Sequence, residues 1–430
     1  MLQIKKLGRW GVIEGVVDKK LASAFFNRLA YKRDGAHFMS NQAWAYVRFY
    51  NVKKQAFPSG LLCLVKSILG EWKSQYGEDY SIEEPEQKVI SDASWVFSDR
   101  LYQSAAVNAL LKNNGGIVAL PTGSGKTKVA LEYIGVSNHK QVLVIVTTRD
   151  LVEQWQAESS TLKPFVVVTY QWLRNHIEFL KNYDLVIFDE CHHVSAKVLY
   201  SIAMKCSTAD LVGLTATPYR AYEPETLKIK AALGPIVYQI SLRELIDLGY
   251  LVDASIRIVS LNECKAELWD TYPDIVDKFI VNNKDRNKSI IKLALSHRAD
   301  GTVLILVDRV EHGQILFDMF EVNDRVIFVH GSSKNRKKIF DGINRGEYDI
   351  VIASKIYGEG VNFPRLKTLI LACGGQSSVA VVQKIGRLLR LFPGKNKALI
   401  YDFRDNCKYL KEHFKDRFHI YEKDFEVTNL

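Results

Sequence analysis

The stretch GIVALPTGSGKTKVALEYIG, residues 116–135, reads as a short apolar strand, a loop containing glycines and the start of a helix. Gly123 and Gly125 allow the loop backbone to approach a ligand closely, so that N–H groups and the helix N-terminus can surround a phosphate. Lys126 can then reach the terminal phosphates, and the Thr127 hydroxyl can bind a magnesium ion. The stretch therefore predicts a P-loop at the centre of an α/β domain.

The match to the pattern G-x-x-x-x-G-K-[ST] is incomplete, because Leu120 occupies the position of its first glycine. An ordinary glycine-rich turn between a strand and a helix is the alternative interpretation. The strand before the loop and the helix after it favour nucleotide binding, in which Thr122 and Ser124 would also line the phosphate site.

Length and composition limit the class of protein. A chain of 430 residues should hold two or three domains. No apolar run reaches the ~18 residues that a membrane-spanning helix needs, and the N-terminus does not resemble a signal peptide. The net charge of +10 favours a polyanionic partner. Six cysteines, scattered singly, fit a reducing cytoplasm: Cys63, Cys191, Cys206, Cys264, Cys373 and Cys407.

The basic excess is concentrated near the N-terminus. Residues 1–60 contain eleven Lys and Arg side chains but only three acidic ones, and many aromatic residues lie between them. This mixture is typical of a nucleic-acid-binding surface, although most of the rings must also form the core of so small a module. Residues 43–52, AWAYVRFYNV, predict a half-exposed strand, and residues 57–72 predict a turn followed by an amphipathic helix.

We predict an N-terminal module at residues 1–75 and an acidic, polar linker at 76–94. Apolar strands then alternate with amphipathic helices in residues 95–245 and again in 250–405, which predicts two doubly wound α/β domains with parallel sheets. The strand segments are GIVAL, QVLVIVT, PFVVVTY, YDLVIFDE and ADLVGLTA, then SIRIVSL, GTVLILVD, DRVIFVHG, YDIVIASK, LKTLILAC and NKALIYDF. Residues 406–430 predict a charged helical tail that packs on the second domain.

Ligands of open α/β sheets bind beyond the carboxyl ends of the strands, where this chain places acidic residues. The strand YDLVIFDE ends in Asp189 and Glu190. With a P-loop in the same chain, the pair predicts a Walker B element in which Asp189 holds magnesium and Glu190 orients and deprotonates the attacking water. A surface carboxylate pair is the alternative. Cys191, His192 and His193 follow at once, but adjacent residues project in different directions, which argues against zinc.

Two further segments carry polar residues after strands or on a helix. Thr215 and Thr217, in LTATP, could relay nucleotide state beside the Walker B strand, although a plain turn would look similar. In QKIGRLLR, Arg387 and Arg390 lie one helical turn apart on one face, where they could stabilise phosphoryl-transfer charge. A solvated basic helix face is the alternative for this second segment.

Taken together, the motifs and their order resemble those of the superfamily 2 helicases and translocases. They are RLYQ (100–103), LPTGSGKT (120–127), VTTRDLVEQW (146–155), VVTYQWL (167–173), DECHH (189–193), LTATPYR (214–220), VLILVDR (303–309), GEGVNFP (358–364) and QKIGRLLR (383–390). The DECH form and Q-x-x-G-R-x-x-R are similar to the XPB-like group, which includes phage recombination helicases of the UvsW type. The resemblance covers about residues 95–425 and implies two tandem RecA-like domains after a small α+β N-terminal DNA-binding domain.

The resemblance also implies roles for matching positions. Arg100 and Gln103 would contact adenine, and Gly360 would sense nucleotide state. Gln383, Arg387 and Arg390 would reach the γ-phosphate. The residues expected to contact DNA, mostly through phosphates, are Thr147, Arg149, Thr169, Tyr170, His330, Gly331 and Ser354. Asn362 stands where many relatives carry Asp, which is a departure from the family pattern.

We therefore expect an ATP- and Mg²⁺-dependent DNA motor that is a monomer in solution and acts in the cytoplasm, or in the host cytoplasm if the gene belongs to a phage. The resemblance implies 3'-to-5' movement on single-stranded and branched DNA. The alternatives are an RNA helicase, the duplex-translocating motor subunit of a nuclease complex, and a binding protein that no longer hydrolyses ATP. The set Lys126, Thr127, Asp189, Glu190, Arg387 and Arg390 argues against the last of these.

Overall fold

The structure is a computed structural model that describes residues 2–33, 36, 42–82, 100–158, 163–216, 223–261, 267, 270–322, 324–354, 365–374 and 385–430. The chain divides into two compact units. One comprises Met1–Leu120 and Gly125–Ile240, and the other comprises Ser241–Leu430 with Pro121–Ser124. Each unit contains one wholly parallel sheet with helices between its strands. The predicted fold class, with two tandem α/β domains, is confirmed.

The N-terminal module is a small α+β fold around a four-stranded sheet in the order β5-β2-β1-β6. Its core contains Leu2, Ile4, Ile13, Phe25 and Phe57. The elements are β1 (Leu2–Leu7), β2 (Trp10–Glu14), α1 (Lys19–Arg28), β3 (Ala30–Lys32), β4 (Tyr46–Arg48), β5 (Ala56–Pro58), α2 (Leu62–Tyr76) and β6 (Tyr80–Ile82). Strands β3 and β4 pair with each other as a separate antiparallel ribbon.

Two of the expectations for this module need correction. The long strand predicted at residues 43–52 is wrong, because only β4 is extended there, and the Asn51 side chain accepts a hydrogen bond from the Lys54 N–H (3.1 Å) to close a turn. Strand β6 pairs in parallel with β1 inside the stretch predicted as a linker. The sheet of the module therefore continues to Ile82, beyond the boundary expected at residue 75, and residues 83–94 lie outside the described residues.

The module packs directly on the first α/β domain through helix α8 (Glu223–Leu233). The Arg9 guanidinium donates a hydrogen bond to the Ala232 carbonyl oxygen. A Cβ at Gly60 would lie 2.1 Å from the Lys230 carbonyl oxygen, so only glycine fits at this contact. These contacts explain why the module and the first α/β domain form one compact unit rather than two.

The first α/β domain has a six-stranded sheet in the order β12-β7-β11-β10-β8-β9. Strands β7, β8 and β10 are buried along their whole length, as their uninterrupted apolar sequences predict. The strands are β7 (Gly116–Ala119), β8 (Val142–Val146), β9 (Phe165–Thr169), β10 (Leu185–Phe188), β11 (Asp210–Thr215) and β12 (Ile236–Gln239). The helices besides α8 are α3 (Leu101–Asn113), α4 (Lys126–Val136), α5 (Arg149–Glu158), α6 (Tyr170–Arg174) and α7 (Lys197–Lys205).

The second α/β domain has a seven-stranded sheet in the order β15-β16-β14-β17-β18-β13-β19. The strands are β13 (Asp253–Ser260), β14 (Thr302–Leu306), β15 (Val326–Val329), β16 (Ile350–Ala353), β17 (Leu366–Leu371), β18 (Lys397–Arg404) and β19 (Glu426–Asn429). The helices are α9 (Leu242–Asp247), α10 (Tyr272–Val276), α11 (Lys284–His297), α12 (Val310–Asp318), α13 (Arg336–Arg345) and α14 (Leu410–Asp424). Every strand predicted for the two α/β domains is present, whereas β12 and β19 were not predicted.

The C-terminal residues belong to the second sheet and its core. Helix α14 is held by Arg417, whose guanidinium donates to both Asp402 carboxylate oxygens at 2.8 and 3.1 Å. The Tyr421 hydroxyl donates to the same carboxylate at 2.8 Å. Strand β19 then pairs in parallel with β13. The predicted helical tail is therefore followed by a strand that completes the edge of the sheet.

The cysteines do not all carry free thiols. Cys407 is disulfide-bonded, which the sequence did not suggest, whereas Cys63, Cys191, Cys206 and Cys373 carry free thiols. Among the helices in the described part of the chain, none is long and apolar enough to cross a membrane.

Candidate nucleotide and DNA sites

The P-loop begins where β7 leaves the sheet. Leu120 is fully buried, and its N–H donates to the Thr215 carbonyl oxygen on β11 (2.9 Å). At the position of the missing first glycine the chain is thus still anchored to the sheet, where an apolar residue is appropriate. The turn follows at Gly123 and Gly125, whose φ angles are +89° and +86°, a conformation that favours glycine.

Helix α4 begins at Lys126 directly after the turn, so its first N–H groups face the loop. Gln103 lies beside this turn: it is 1% exposed, and a Cβ at Gly125 would lie 2.5 Å from Gln103 Nε2. Arg100 and Gln103 both donate to the Tyr102 hydroxyl, at 3.2 and 3.4 Å. Of the pair expected to contact adenine, Gln103 therefore lies against the P-loop, and Arg100 shares its Tyr102 partner.

The two candidate catalytic carboxylates follow β10, the neighbour of β11 in the sheet. Asp189 accepts hydrogen bonds from the Trp155 indole N–H (3.0 Å) and from the Glu190 backbone N–H (2.9 Å). Burial, with the nearby charge of Glu190, raises the pKa of Asp189 to about 6. Lys126 Nζ lies 3.8 Å from Glu190 Oε1. The structure thus brings the P-loop lysine and the Walker B acids together.

Glu190 adopts φ +46°, an uncommon conformation for a residue other than glycine. Its Oε2 lies 3.3 Å from His192 Nδ1, and the same nitrogen lies 3.2 Å from the Thr215 hydroxyl. His192 therefore links the candidate base to the neighbouring strand end. Cys191 packs beneath Gly213, where an added Cβ would lie 2.8 Å from its Sγ. Cys191 and His192, although adjacent in sequence, thus contact different parts of the domain, as expected.

Trp155 and His192 are the two residues of this site whose roles the sequence reasoning missed. Trp155 stands at the end of VTTRDLVEQW and His192 in DECHH, so both were quoted within motifs, but their contacts depend on the pairing of distant segments. Trp155 reaches Asp189 across 34 positions, and His192 reaches Thr215 across 23.

The residues fit a magnesium nucleotide. The Thr122 hydroxyl oxygen is buried, and no hydrogen-bond partner for it occurs among the described residues. The donor set comprises Lys126, Thr127 and loop N–H groups for phosphate, with the Asp189 carboxylate for a metal that takes oxygen ligands. In the described ranges no three His, Cys, Asp or Glu side chains lie close enough to share a metal ion.

Comparison with known proteins shows which families the chain is similar to. Residues 97–220 match the family model described as type III restriction enzyme, res subunit, and residues 285–392 match the helicase conserved C-terminal domain. The chain is 27% identical to the DNA 3'-5' translocase XPB2 of Sulfurisphaera tokodaii, over 68% of this chain and 78% of that protein. It is 25% identical to the ATP-dependent DNA helicase uvsW of Enterobacteria phage T4, over 71% and 68%. The chain is thus similar to the XPB-like superfamily 2 helicases.

This chain spans only part of the length of other relatives. It covers 64% of the putative helicase 22 of Sulfolobus islandicus filamentous virus, at 26% identity, and 50% of the putative DNA 3'-5' helicase Rad25 of Haloarcula marismortui, at 23%. A fragment of a putative HsdR subunit of a type I restriction enzyme from Vibrio vulnificus has the same fold, with a TM-score of 0.62 and 17% identity over 85% of this chain and 74% of that one.

The four candidate DNA contacts of the first α/β domain lie at one edge of its sheet. Thr147 follows β8 and Thr169 ends β9, and these strands pair with Val146 opposite Thr169. The Thr169 hydroxyl accepts from the Trp172 N–H (3.4 Å) and caps α6, which begins at Tyr170. Arg149, the first residue of α5, is exposed. The four residues lie near one another, as the resemblance implies for a shared binding face.

In the second α/β domain, the predicted site residues differ in how exposed they are. His330 and Ser354 follow the paired strands β15 and β16, so they lie at one edge. A Cβ at Gly331 would meet open space, whereas Ser354 is only 6% exposed and offers little side-chain surface. Arg387 and Arg390 are partly exposed, and the backbone between them is anchored where the Leu389 carbonyl oxygen accepts from the Val252 N–H (2.8 Å). Three predicted site residues lie outside the described residues: Thr217, Gly360 and Gln383.

Proposed function

We propose that this protein is an ATP- and Mg²⁺-dependent DNA helicase or translocase that moves 3'-to-5' and remodels branched DNA, such as forks and four-way junctions, by branch migration in replication, recombination and repair. The observation that carries the proposal is the convergence of Lys126 and Glu190, 3.8 Å apart, beside Asp189 at the carboxyl edge of the first parallel sheet. The names of the XPB2 and uvsW relatives supply the direction and the DNA substrate as expectations.

In this mechanism Lys126, Thr127 and the loop from Thr122 to Gly125 would hold the nucleotide phosphates, and Asp189 would hold the magnesium ion. The bound ion supplies positive charge that stabilises phosphoryl transfer. Glu190 orients a water molecule and accepts its proton, with the Lys126 ammonium 3.8 Å away. His192 holds the Glu190 carboxylate in place.

The roles of Arg100 and Gln103 toward adenine, of Gly360 as a sensor, and of Gln383, Arg387 and Arg390 toward the γ-phosphate remain proposals that come from the family resemblance. The same is true of Thr215 and Thr217 in coupling, and of the DNA contacts Thr147, Arg149, Thr169, Tyr170, His330, Gly331 and Ser354.

The decisive experiment measures ATP hydrolysis with and without DNA, with Lys126→Ala as the inactive control. We expect stimulation by single-stranded and forked DNA, and at least about a hundredfold loss of turnover in the variant, because the charge on the phosphates is no longer neutralised. The absence of stimulation by any DNA would refute the motor function. Full turnover in Lys126→Ala would refute the site.

A second function, a duplex-translocating motor in a nuclease complex, is favoured by the match of residues 97–220 to the restriction-enzyme family model. Strand separation distinguishes the two functions. We expect unwinding of a fork and a four-way junction, and of a duplex with a 3' tail in preference to one with a 5' tail. Displacement of a triplex-forming strand without unwinding would favour duplex translocation, and activity on an RNA duplex alone would favour an RNA helicase.

A further inference from the structure

The two-stranded ribbon of the N-terminal module, β3 with β4, has two different faces. Tyr46 pairs with Lys32 and Arg48 pairs with Ala30, so these four residues share one face. Tyr31 and Val47 occupy the opposite face and pack against the core of the module. The face with Lys32, Tyr46 and Arg48 therefore points away from the core, and we call it the outward ribbon face.

Two aromatic rings, one on this face and one in the short helical turn just before β4, are exposed, unlike most others in the module. Trp44, just before β4, is 70% exposed and Tyr46 is 40% exposed, whereas Phe25 and Phe57 are fully buried in the core. Core formation, which explains the buried rings, does not explain these two. Burying such rings against a partner would remove a large apolar area from water.

Arg48 organises the face. Its guanidinium carbon lies 4.3 Å from the centroid of the Phe26 ring and 5.1 Å from that of Tyr46. A planar guanidinium that lies over two rings is held in one orientation. Lys32 is exposed beside it.

The segment of chain that contains the ribbon is rich in basic residues. Between Leu29 and Pro58 the chain carries five basic side chains and a single acidic one, Asp34. The basic side chains are Lys32, Arg33, Arg48, Lys53 and Lys54. A polyanion with flat apolar rings matches both the charge and the exposed aromatic surface, and nucleic acid has this chemistry.

We propose that Tyr46 on the outward ribbon face and the neighbouring Trp44 stack on unpaired bases at the branch point of DNA, while Lys32 contacts a flanking phosphate. The inference rests on the proposed function and specifies how the module would recognise a branch. Bases inside an intact duplex have no free ring face, so stacking favours the open bases of a fork or junction over a blunt duplex.

The test compares the double variant Trp44→Ala/Tyr46→Ala with Tyr76→Ala in the full-length protein. Tyr76 is a matched control, because it is 45% exposed in the same module but lies on α2 against Trp72. Fluorescence anisotropy on a labelled fork should show at least about a tenfold loss of affinity for the double variant, since one base–aromatic stack alone contributes that much. Affinity for a blunt duplex should fall less than threefold, and Tyr76→Ala should bind both like the wild type.

A second variant tests the phosphate contact independently of folding. Lys32→Gln should lower the slope of log affinity against log salt by about one for the fork, which corresponds to the loss of one phosphate contact. Thermal unfolding of all variants identifies any that fail to fold. If the double variant does not fold, Trp44→Ala is compared with Trp44→Phe instead. Trp44→Phe should retain fork binding.

Equal losses of affinity for fork and duplex, or no loss for the fork, would overturn the inference while leaving DNA-stimulated ATP hydrolysis intact. If the wild type binds forks through these rings but DNA does not stimulate its ATP hydrolysis, the proposed function fails and the inference stands. The two failures are therefore distinguishable.

Discussion

Two strand ends in this protein carry acidic side chains in contrasting surroundings. At the end of β10, the hydrogen bonds that Asp189 accepts from the described residues come from neutral groups, the Trp155 indole and a backbone N–H, and the like charge of Glu190 is adjacent. Near the end of β18, Asp402 is fully buried but receives two hydrogen bonds from the Arg417 guanidinium and one from the Tyr421 hydroxyl.

The difference distinguishes the candidate reactive site from a structural one. A buried carboxylate whose charge is balanced within the chain holds elements together, whereas one beside a like charge retains capacity for an added cation. Asp405, paired with the fully buried Arg286 at 2.9 Å, extends the balanced arrangement in the second domain. The two sheets have the same architecture, but their acidic residues serve different purposes.

The largest effect is expected for Asp189→Asn, which should lower ATP turnover by about a thousandfold or more because magnesium loses its carboxylate. The free energy of unfolding should stay within about 1 kcal/mol of wild type, since removal of charge repulsion offsets one weakened hydrogen bond. Steady-state hydrolysis and urea unfolding measure the two quantities. Strong destabilisation with normal turnover would show instead that Asp189 has a structural role.

Asp402→Asn is the matched change at the other strand end. It should lower the free energy of unfolding by about 3 kcal/mol, because the buried Arg417 charge loses its counter-ion. Turnover per folded molecule should remain unchanged, as Asp402 belongs to the anchor of α14. Urea unfolding and hydrolysis at a temperature where the variant is folded check this, and unchanged stability would contradict the structural role of the pair.

Acidification should weaken the second domain through His312, whose Nε2 lies 2.9 Å from Asn287 Oδ1. Burial and the nearby Arg286 charge lower the pKa of His312 from 6.5 to about 3. Between these values the unfolded state binds one more proton, so stability falls as pH falls below 6.5, by up to about 1.4 kcal/mol per pH unit. His312→Gln should flatten this dependence in urea unfolding at pH 7.0 and 5.5. An identical slope in both proteins would contradict it.

The smallest effect is expected for the exposed pair of Lys415 with Glu412, one turn apart on α14 at 2.8 Å. Glu412→Gln should change the free energy of unfolding by less than about 0.5 kcal/mol, because water screens exposed pairs. It is the control for Asp402→Asn on the same helix, and a loss as large as that of Asp402→Asn would show that burial does not distinguish these pairs.

The P-loop, the apolar strands of both sheets and the acids at the end of β10 could be predicted from the sequence, because each is a local pattern of a few neighbouring residues. Glycines at a turn, uninterrupted apolar runs and a strand-loop-helix order need no knowledge of distant contacts. Lys126, Asp189 and Glu190 could be assigned to one site from these patterns alone.

The side-chain contacts of those residues could be found only from the tertiary structure. Trp155 reaches Asp189, His192 reaches Thr215, and Arg286 reaches Asp405 across 119 positions. Pairing of β3 with β4 likewise exposed Trp44 and Tyr46 while Phe25 and Phe57 were buried, although all four are aromatic residues of one basic segment. Burial and hydrogen-bond partners depend on which distant segments meet, and that information is absent from any local pattern.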